Sequence, residues 1–280
     1  MMTSQNQSFL EIIHSRLDGQ ETVLPVFDTT AQKIQLEAAK QEPDTKLIEK
    51  MISCDPSLTS QVLRISNSAF YKGLQKVSTV RNAIIRLGSR EIANIAILEC
   101  QKKQFSARNP VFNDLMQKLW RHSVGCALSA QWLAIRCGFT SLAQEAFTAG
   151  LLHDIGKLLI LAVTDELTCS GTLKQMPAEV LLNEVLDNFH TEYGFRMLSH
   201  WELPELYSRI ARDHHLHEPC KDNVLMLVRL ANKTTNSMGI GLQGPEPCVL
   251  AATPEADYFG LSEIALAELE IKLEDSKVFW

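Results

Sequence analysis

The spacing of hydrophobic residues along the chain predicts a protein built of α-helices. In the first part, apolar positions recur at helical spacing over short stretches, bounded by residues that begin or end helices. No stretch alternates between apolar and polar residues with hairpin turns at its ends, as a half-buried strand does. We therefore expect a packet of short helices within residues 1–105. The predicted helices are 45–53, for which Thr45 is the expected cap, one that begins at Asp55–Pro56, 79–87 and 89–99.

Longer helical patterns fill the second part of the chain. A polar stretch at 101–110 separates the two parts. Residues 239–260 are rich in Gly and Pro, which predicts a long loop before a last acidic helix at about 261–275. The predicted domains are an N-terminal helical subdomain (1–105), a helical core (106–238) and a loop with a C-terminal helix (239–280). The core helices are expected at about 111–137, 141–163, 178–201, 204–216 and 221–238.

Composition narrows the classes of function. The chain has 280 residues, 45% hydrophobic and 21% charged, which is typical of a soluble globular protein. Its net charge of −6 argues against general nucleic-acid binding, which needs a basic face. No apolar run approaches the roughly 20 residues that span a bilayer, and the polar N-terminus does not resemble a signal peptide. Seven cysteines are scattered along the chain without a CxxC pair, which predicts reduced thiols, most of them small core residues, in a cytoplasmic protein. We expect no membrane partner.

The segment 151–157 (LLHDIGK) carries the strongest chemical signal. It places an imidazole beside a carboxylate inside an apolar run, and burying such a pair without partners is costly. Either a metal ion or a set of polar partners is therefore expected at His153–Asp154. Lys157 is either an ordinary surface lysine or a group near a substrate phosphate. Helical bundles build metal sites from inward polar groups on several helices, and the histidines of the second part that recur near helix ends are His122, His153, His190, His200, His214 and His215.

Two groups of motifs carry a resemblance to a known family. In the first part they are CDPSLTSQVLRISNSAFY (54–71) and VSTVRNAIIRLGSREI (77–92). In the second part they are LWRHS (119–123), AFTAGLLHDIGKLLI (146–160), FHTEYGFRMLSHWELPE (189–205), IARDHH (210–215) and LVRLAN (227–232). By these motifs the chain resembles the HDOD family of the HD-domain superfamily over about residues 20–240. The resemblance implies an all-α protein, in which a small N-terminal helical subdomain packs on an HD-like helical core.

The resemblance also implies a set of metal ligands. In catalytic HD phosphohydrolases these are a His on one helix, the His-Asp pair and a late Asp, and two-metal versions add further His residues. An amide at the late position is a weaker ligand than a carboxylate, which disfavours Mg²⁺ relative to Fe, Zn, Ni or Mn. A pair of histidines at a helix end would equally cap carbonyl groups. In this chain the positions are His122, His153, Asp154, His190, His214 and His215, with Asn232 where the late Asp is expected.

Three hypotheses on function arise, and the sequence favours the first. HDOD proteins resemble degraded HD enzymes and are usually interpreted as regulatory modules, so the first is a non-catalytic module that binds signalling proteins. The second is a metal-dependent phosphohydrolase acting on a phosphomonoester, phosphodiester or nucleotide, with Asp154 as ligand and base and Lys157 near the phosphoryl group. Cyclic-di-GMP hydrolysis is not expected, because no Gly-Tyr-Pro motif follows His215. The third is a metal kept only to close the bundle.

A short segment of the first part is the candidate for partner binding. Polar and aromatic side chains fall together in the Asn-Ser-Ala-Phe-Tyr motif and the turn before it. Their alternative role is to end a helix and to form the turn that follows it. The candidates are Arg64, Asn67, Ser68 and Tyr71.

Overall fold

The computed structural model describes residues 4–18, 28–71, 75–201, 203–216 and 221–279, which form helices and turns with no β-strand among them. The predicted all-α class is therefore confirmed. Several short 3-10 turns join the longer elements. The α-helices are α1 (Ser4–Asp18), α2 (Thr29–Ala38), α3 (Thr45–Ser53), α4 (Pro56–Ser66), α5 (Val80–Leu87), α6 (Ser89–Lys102), α7 (Pro110–Arg136), α8 (Ala143–Leu152), α9 (Ile155–Cys169), α10 (Glu179–His200), α11 (Glu205–Asp213), α12 (Asn223–Ser237), α13 (Pro254–Tyr258) and α14 (Glu263–Asp275).

One compact unit consists of the described parts of Met1–Pro25 and Phe105–Glu270. Its longest helix is α7, against which α8, α9 and α12 pack, while α10 packs on α9 and α11. Many of the buried residues between these helices are small, so the helix axes approach closely and polar residues of different helices meet. The core shared by α7, α8 and α12 includes Cys126, Ala130, Ala134, Ala146, Ala149, Leu227 and Leu230.

The other compact unit consists of the described parts of Val26–Gln104 and Ile271–Trp280. Within it, α6 packs on α2, α4 and α5, and α3 packs on the same three neighbours. Buried aliphatic side chains form its core, among them Ile48, Ile52, Val62, Ile65, Ile84, Ile92 and Ile95. Four of its helices begin at side chains that accept hydrogen bonds from backbone N–H groups of the first turn. These caps are Asp28, Asp44, Asp55 and Thr79.

Three local predictions are wrong. The pattern predicts one helix over 141–163, but α8 and α9 are separated at His153–Asp154. The Gly150 carbonyl, which would accept from residue 154 in an unbroken helix, accepts from His153 Nδ1 at 2.8 Å instead. The loop predicted over 239–260 contains α13, which Thr253 caps ahead of Pro254 in its first turn. The cap of α3 is Asp44 rather than Thr45.

The compact units group the chain differently from the predicted domains. The helix α1 belongs with the helices after residue 105, and the described residues from Ile271 belong with the short helices of 26–104. The boundaries 1–105, 106–238 and 239–280 therefore stay a prediction about domain organisation.

One segment has the length and composition of a membrane span. It is Thr140–Cys169, which contains α8 and α9. Within it, 89% of an apolar stretch of 18 residues is buried inside the protein. Such burial is typical of a core segment, whose apolar residues contact other helices of the same unit. The absence of a membrane partner and the cytoplasmic location stay predictions.

Candidate metal centre

Five predicted ligands come together where α7, α10, α11 and the junction between α8 and α9 meet. His122 lies on α7, His190 lies on α10, and His214 directly follows α11. His153 and Asp154 form the junction itself and expose only 0% and 1% of their surface. All five are buried. The fold thus assembles one polar cluster from residues that are far apart in the chain.

The carboxylate of Asp154 divides this cluster into two halves. Its Oδ2 atom lies 3.5 Å from His122 Nε2 and 3.6 Å from His153 Nε2, and these ring nitrogens are 3.3 Å apart. Its Oδ1 atom lies 3.4 Å from both His190 Nε2 and His214 Nε2, which are 3.4 Å apart. Each carboxylate oxygen therefore faces its own pair of imidazoles.

The backbone determines which nitrogen of each ring carries the proton. Every Nδ1 atom lies at hydrogen-bond distance from a carbonyl oxygen, which can only accept. Nδ1 is therefore the protonated nitrogen, and Nε2 keeps a lone pair in the neutral ring. The four pairs are His122 with Ile240 at 2.9 Å, His153 with Gly150 at 2.8 Å, His190 with Leu186 at 2.7 Å and His214 with Ala211 at 2.9 Å.

Burial favours neutral rings and leaves the carboxylate ionised. Desolvation lowers the pKa of His122, lowers that of His153 well below its ordinary value, and lowers that of His190 to about 4. Desolvation acts to raise the pKa of Asp154, but the adjacent Lys157 ammonium acts against it, and this pKa is held well below its ordinary value. The cluster therefore contains the negative charge of Asp154, and the contacts of Nδ1 with carbonyl oxygens leave the four Nε2 atoms facing inward.

This arrangement fits divalent metal ions. Asp154 Oδ1 is buried and receives no hydrogen bond, and lone pairs that face one another repel unless a cation lies between them. Two ring nitrogens at about 2.0 Å from a tetrahedral metal stand about 3.3 Å apart, which is close to the separation in each half of the cluster. These residues can therefore hold metal, with Asp154 as the shared ligand.

Two glycines permit the close helix contacts that form the cluster. A Cβ atom at Gly156 on α9 would lie 1.9 Å from the His190 carbonyl oxygen on α10. A Cβ atom at Gly150 on α8 would lie 2.7 Å from the Cys126 carbonyl oxygen on α7. Both distances are shorter than Cβ contacts in real proteins, so any larger residue would separate the helices that carry the ligands.

A cavity of about 430 Å³ adjoins the cluster. Lys157 Nζ donates to Asp154 Oδ2 at 2.8 Å, and Lys157 lines the cavity together with Arg212, whose guanidinium donates to the Asp213 carboxylate at 2.7 and 3.0 Å. Two cationic side chains beside a metal-binding cluster are suited to bind an anion such as a phosphate group. Other polar residues of the wall are Asn183, Asp187 and Thr191 on α10, and Gln243 and Glu246 after α12.

Two predicted ligand positions differ from the others. His215 is exposed at the cavity wall, but its donor atom and those of Asp154, His190 and His214 all lie within 4.8 Å of one another. Asn232, at the position of the late Asp, is buried on α12. Among the described residues of that helix, Asn236 lines the cavity one turn later. Asn232 and Asn236 both carry an amide side chain, so neither position supplies the carboxylate that the family resemblance implies.

Cys126 is a member of the cluster that the sequence patterns did not single out. It lies one turn after His122 on α7, with Sγ 3.5 Å from His122 Nε2 and 3.2 Å from Thr235 Oγ1. A spacing of four residues on a helix places both side chains on one face. The sequence carries this signal, but the expectation that buried cysteines fill the core concealed it.

The four candidates for partner binding have contacts within their own unit. The Ser68 hydroxyl oxygen is buried. The other three form the hydrogen bonds of a helix end and of the turn that follows, and their role in partner binding stays a prediction. The contacts join Arg64 with Gln61 and the Val278 carbonyl, Asn67 with the backbone of Leu63 and Val77, and Tyr71 with Glu91.

Two sequence comparisons bear on the family. The sequence matches the HDOD domain family over residues 24–217. An "Uncharacterized protein" of Treponema pallidum (strain Nichols) is 26% identical over 188 residues, which are 65% of this chain and 36% of that protein. The chain thus spans little more than a third of this relative.

Solved structures resemble the chain over nearly its whole length. A "Putative metal-dependent phosphohydrolase" from Shewanella amazonensis SB2B has a TM-score of 0.76 at 17% identity, with 99% of this chain and 100% of that chain covered. An "HDOD domain protein with unknown function" from Geobacter sulfurreducens has a TM-score of 0.74 at 21% identity, with 97% and 98% covered. A "Putative signal transduction protein" from Marinobacter aquaeolei VT8 has a TM-score of 0.64 at 21% identity, with 99% and 65% covered. At these identities the likeness shows the fold.

Proposed function

Because this chain belongs to the HDOD family and has four imidazoles around one carboxylate, we propose that it is a metal-dependent phosphohydrolase. Its substrate is a small phosphate ester, either a phosphomonoester, a phosphodiester or a nucleotide, held in the cavity beside Lys157. The geometry of the centre favours this hypothesis over a module that never performs chemistry.

The observation that carries the proposal is the convergence of four Nε2 lone pairs on the two oxygens of Asp154. A histidine that only packs in a core satisfies both ring nitrogens with hydrogen-bond partners. Here each Nε2 atom faces another imidazole and a carboxylate. A divalent ion in each half would convert this repulsion into ligation, and His-rich ligand sets favour Fe, Zn, Ni or Mn over Mg.

Each residue of the centre has a role in the proposed hydrolysis. Metal ions bound here would supply a water of lowered pKa and hold phosphoryl oxygens. The carbonyl groups that bind Nδ1 orient the rings in advance, and Asp154 is assigned the role of shared ligand, since both its oxygens face imidazoles. Lys157 and Arg212 bind the phosphoryl oxygens as negative charge develops on them.

The charges of the cavity wall favour a substrate with one phosphoryl group. Lys157 and Arg212 are cationic, whereas Asp187 and Glu246 are anionic and would repel a second phosphate. The wall also contains amide side chains, which suit the uncharged hydrogen-bonding part of a nucleoside or sugar. The proposed substrate therefore has one charged end and one neutral polar end.

Metal content and turnover test the proposal together. Protein purified without chelator is expected to hold transition-metal ions and to hydrolyse a generic phosphodiester or members of a nucleotide panel. His153→Ala should lose both properties, whereas His200→Ala, a matched change at an exposed histidine of α10, should keep them. Absence of metal after loading at micromolar concentration, or turnover unaffected by His153→Ala, would contradict the proposal. Metal that stabilises the protein without any turnover would fit the structural-metal hypothesis instead.

Arg212→Gln tests the substrate end of the cavity. We expect KM to rise about tenfold, which corresponds to about 1.4 kcal/mol for a lost charge-assisted hydrogen bond, while the metal content stays constant. Arg209→Gln is the matched control on the same helix: each arginine pairs with an aspartate, Arg209 with Asp222 and Arg212 with Asp213, but of the two only Arg212 lines the cavity. An equal change of KM in both variants would argue against a phosphate contact at Arg212.

A signalling module is the second candidate, and one observation favours it. The described residues of the metal centre all belong to one compact unit, so the unit of α2–α6 is free for another role. We infer that this unit binds a signalling protein through Arg64, Asn67, Ser68 and Tyr71. Loss of a signalling partner in Arg64→Ala, with an unchanged circular dichroism spectrum, would support this role, and full retention of binding would count against it.

A further inference from the structure

We propose that Cys126 is a thiolate ligand in the half of the centre formed by His122 and His153, and that it selects a thiophilic ion such as Zn²⁺ or Fe²⁺ for that half. This inference rests on the metal centre of the proposed function. It adds a ligand that the sequence motifs do not assign.

The spacing of the donor atoms supports this ligand set. Cys126 Sγ lies 3.5 Å from His122 Nε2, which lies 3.3 Å from His153 Nε2. In a tetrahedral zinc site, with bonds of about 2.0 Å to nitrogen and about 2.3 Å to sulfur, two nitrogens stand about 3.3 Å apart and nitrogen stands about 3.5 Å from sulfur. The observed separations match both values, and all three donor atoms lie within 4.8 Å of one another.

The polar surroundings of the thiol also distinguish it from a space-filling cysteine. Cys126 is fully buried, and Thr235 Oγ1 lies 3.2 Å from its sulfur. The same hydroxyl lies within hydrogen-bond distance of the carbonyls of Ala231 and Asn232. It can therefore accept from the thiol or, after rotation, donate to a thiolate, as groups around metal-bound sulfur do.

The charge of the centre gives a reason for a thiolate. The Asp154 carboxylate brings one negative charge, the imidazoles bring none, and the position of the late Asp is occupied by Asn232. Divalent ions in both halves would bring positive charge far in excess of this. When Cys126 binds, its S–H bond breaks, a sulfur lone pair bonds to the ion and the proton leaves to solvent. The thiolate thus replaces charge that a late carboxylate would supply.

A sulfur ligand also makes the two halves chemically different. Thiolates favour Zn²⁺ and Fe²⁺ over Mg²⁺. In the half formed by Asp154, His190 and His214, with His215 beside it, the described donor atoms are nitrogen and oxygen. The half that contains Cys126 is therefore expected to bind a thiophilic ion more tightly than its neighbour does.

Loading with Co²⁺ tests the ligand directly, because a cobalt–thiolate bond adds an intense near-ultraviolet absorption that nitrogen and oxygen ligands do not give. The full chain, stripped of metal and titrated with Co²⁺, should develop this band. Cys126→Ser should lose the band and bind Zn²⁺ at least about tenfold more weakly. Cys100→Ser, a matched change at a buried cysteine of the other unit, should behave as wild type. An undiminished band in Cys126→Ser overturns the inference.

If Cys126→Ser does not fold, a measurement on the wild type tests whether the Cys126 sulfur binds the metal. X-ray absorption at the zinc edge should show a sulfur neighbour at about 2.3 Å, and a shell of nitrogen and oxygen alone overturns the inference. Bound metal without a sulfur neighbour would remove Cys126 from the ligand set and leave the proposed metal centre intact. Failure to bind either Co²⁺ or Zn²⁺ would overturn both.

Discussion

The Nε2 atoms of four histidines and the oxygens of Asp154 form a group in which every inward-facing ring atom is an acceptor. Acceptors packed against acceptors need a cation or a hydrogen-bond donor among them. Two changes would therefore relieve the repulsion between these acceptors: a metal ion bound among them, or a neutral hydrogen-bond donor in place of the carboxylate.

Asp154→Asn supplies such a donor and removes the charge. We expect this variant to lose metal binding, while the free energy of unfolding of the metal-free protein stays unchanged or rises, because the new NH₂ group donates to an Nε2 lone pair. Metal analysis and denaturant unfolding in the absence of metal check both points. Asp187→Asn, on the cavity wall, should keep its metal. A loss of about 3–5 kcal/mol in the metal-free variant would contradict this, since that is the cost of breaking a buried ion pair, here the pair with Lys157.

Glu37 links the stability of the unit of α2–α6 to pH. Its carboxylate accepts from Lys40 Nζ at 2.6 Å and from the backbone N–H of Asp44 at 3.0 Å. These hydrogen bonds hold the pKa of Glu37 below its ordinary value of 4.5. A lowered pKa means that the stabilisation is fully present above the ordinary value and is lost as pH falls through the value in the folded protein.

We therefore expect Glu37→Gln to unfold at lower denaturant concentration than wild type at neutral pH, and the difference to vanish in acid. Glu42→Gln, at an exposed position close by, should match the wild type at both pH values. Denaturant titrations at neutral pH and well below the ordinary carboxyl pKa give the comparison. A difference between Glu37→Gln and wild type that persists in acid would exclude this carboxylate as its source.

At the scale of the helices, local patterns predicted most elements and missed those that side chains outside the pattern determine. Apolar spacing runs without interruption through Leu152 and Ile155, so it predicts one helix there. The break arises because His153 Nδ1 binds the Gly150 carbonyl, which is a side-chain effect that spacing does not contain. The helix α13 was missed because Gly and Pro around it favour a loop, although Thr253–Pro254 is a common helix start.

Gly156→Ala should show how strongly the site depends on one helix contact. The added Cβ atom would meet the His190 backbone at 1.9 Å, so α9 and α10 must move apart. We expect a loss of about 1–3 kcal/mol in the free energy of unfolding, together with weaker metal binding. Gly244→Ala is the control, because nothing lies within 4 Å of its Cβ position. Chemical denaturation and metal titration measure both effects, and unchanged metal affinity in Gly156→Ala would show that the contact does not position the ligands.

At the scale of the whole molecule, each compact unit has its own core, and the metal centre lies in one of them. A ligand that binds only the folded state stabilises it by about 2.7 kcal/mol at a hundred times its dissociation constant. Zn²⁺ should therefore slow amide hydrogen exchange in α7–α12 and leave α3–α6 nearly unchanged. Exchange with and without Zn²⁺, followed by mass spectrometry, gives the answer. Slowing of equal size in both sets of helices would show that the units do not open independently.

The site itself could be predicted only through the family resemblance. Composition and helical spacing marked His153–Asp154 as a buried polar pair, but they do not say which helices meet. The resemblance supplied His122, His190 and His214, and the fold brings these residues to Asp154. Asn236 was missed because its position depends on how α12 packs, which is tertiary information. Cys126 was missed because buried cysteines were expected to fill the core, although its spacing from His122 places both on one face of α7.

In the proposed metal centre, the hydrogen bonds between each Nδ1 atom and a main-chain carbonyl would also govern how fast metal exchanges. Since the rings are held in place before an ion arrives, binding requires no rearrangement of ligands. The slow step is then the passage of the ion through the cavity past Lys157, whose positive charge opposes a cation in both directions. An ion captured during folding would stay through long dialysis. Chelators would remove it only as fast as the ion passes Lys157, so half-lives of metal loss would measure how strongly this ammonium group opposes its escape.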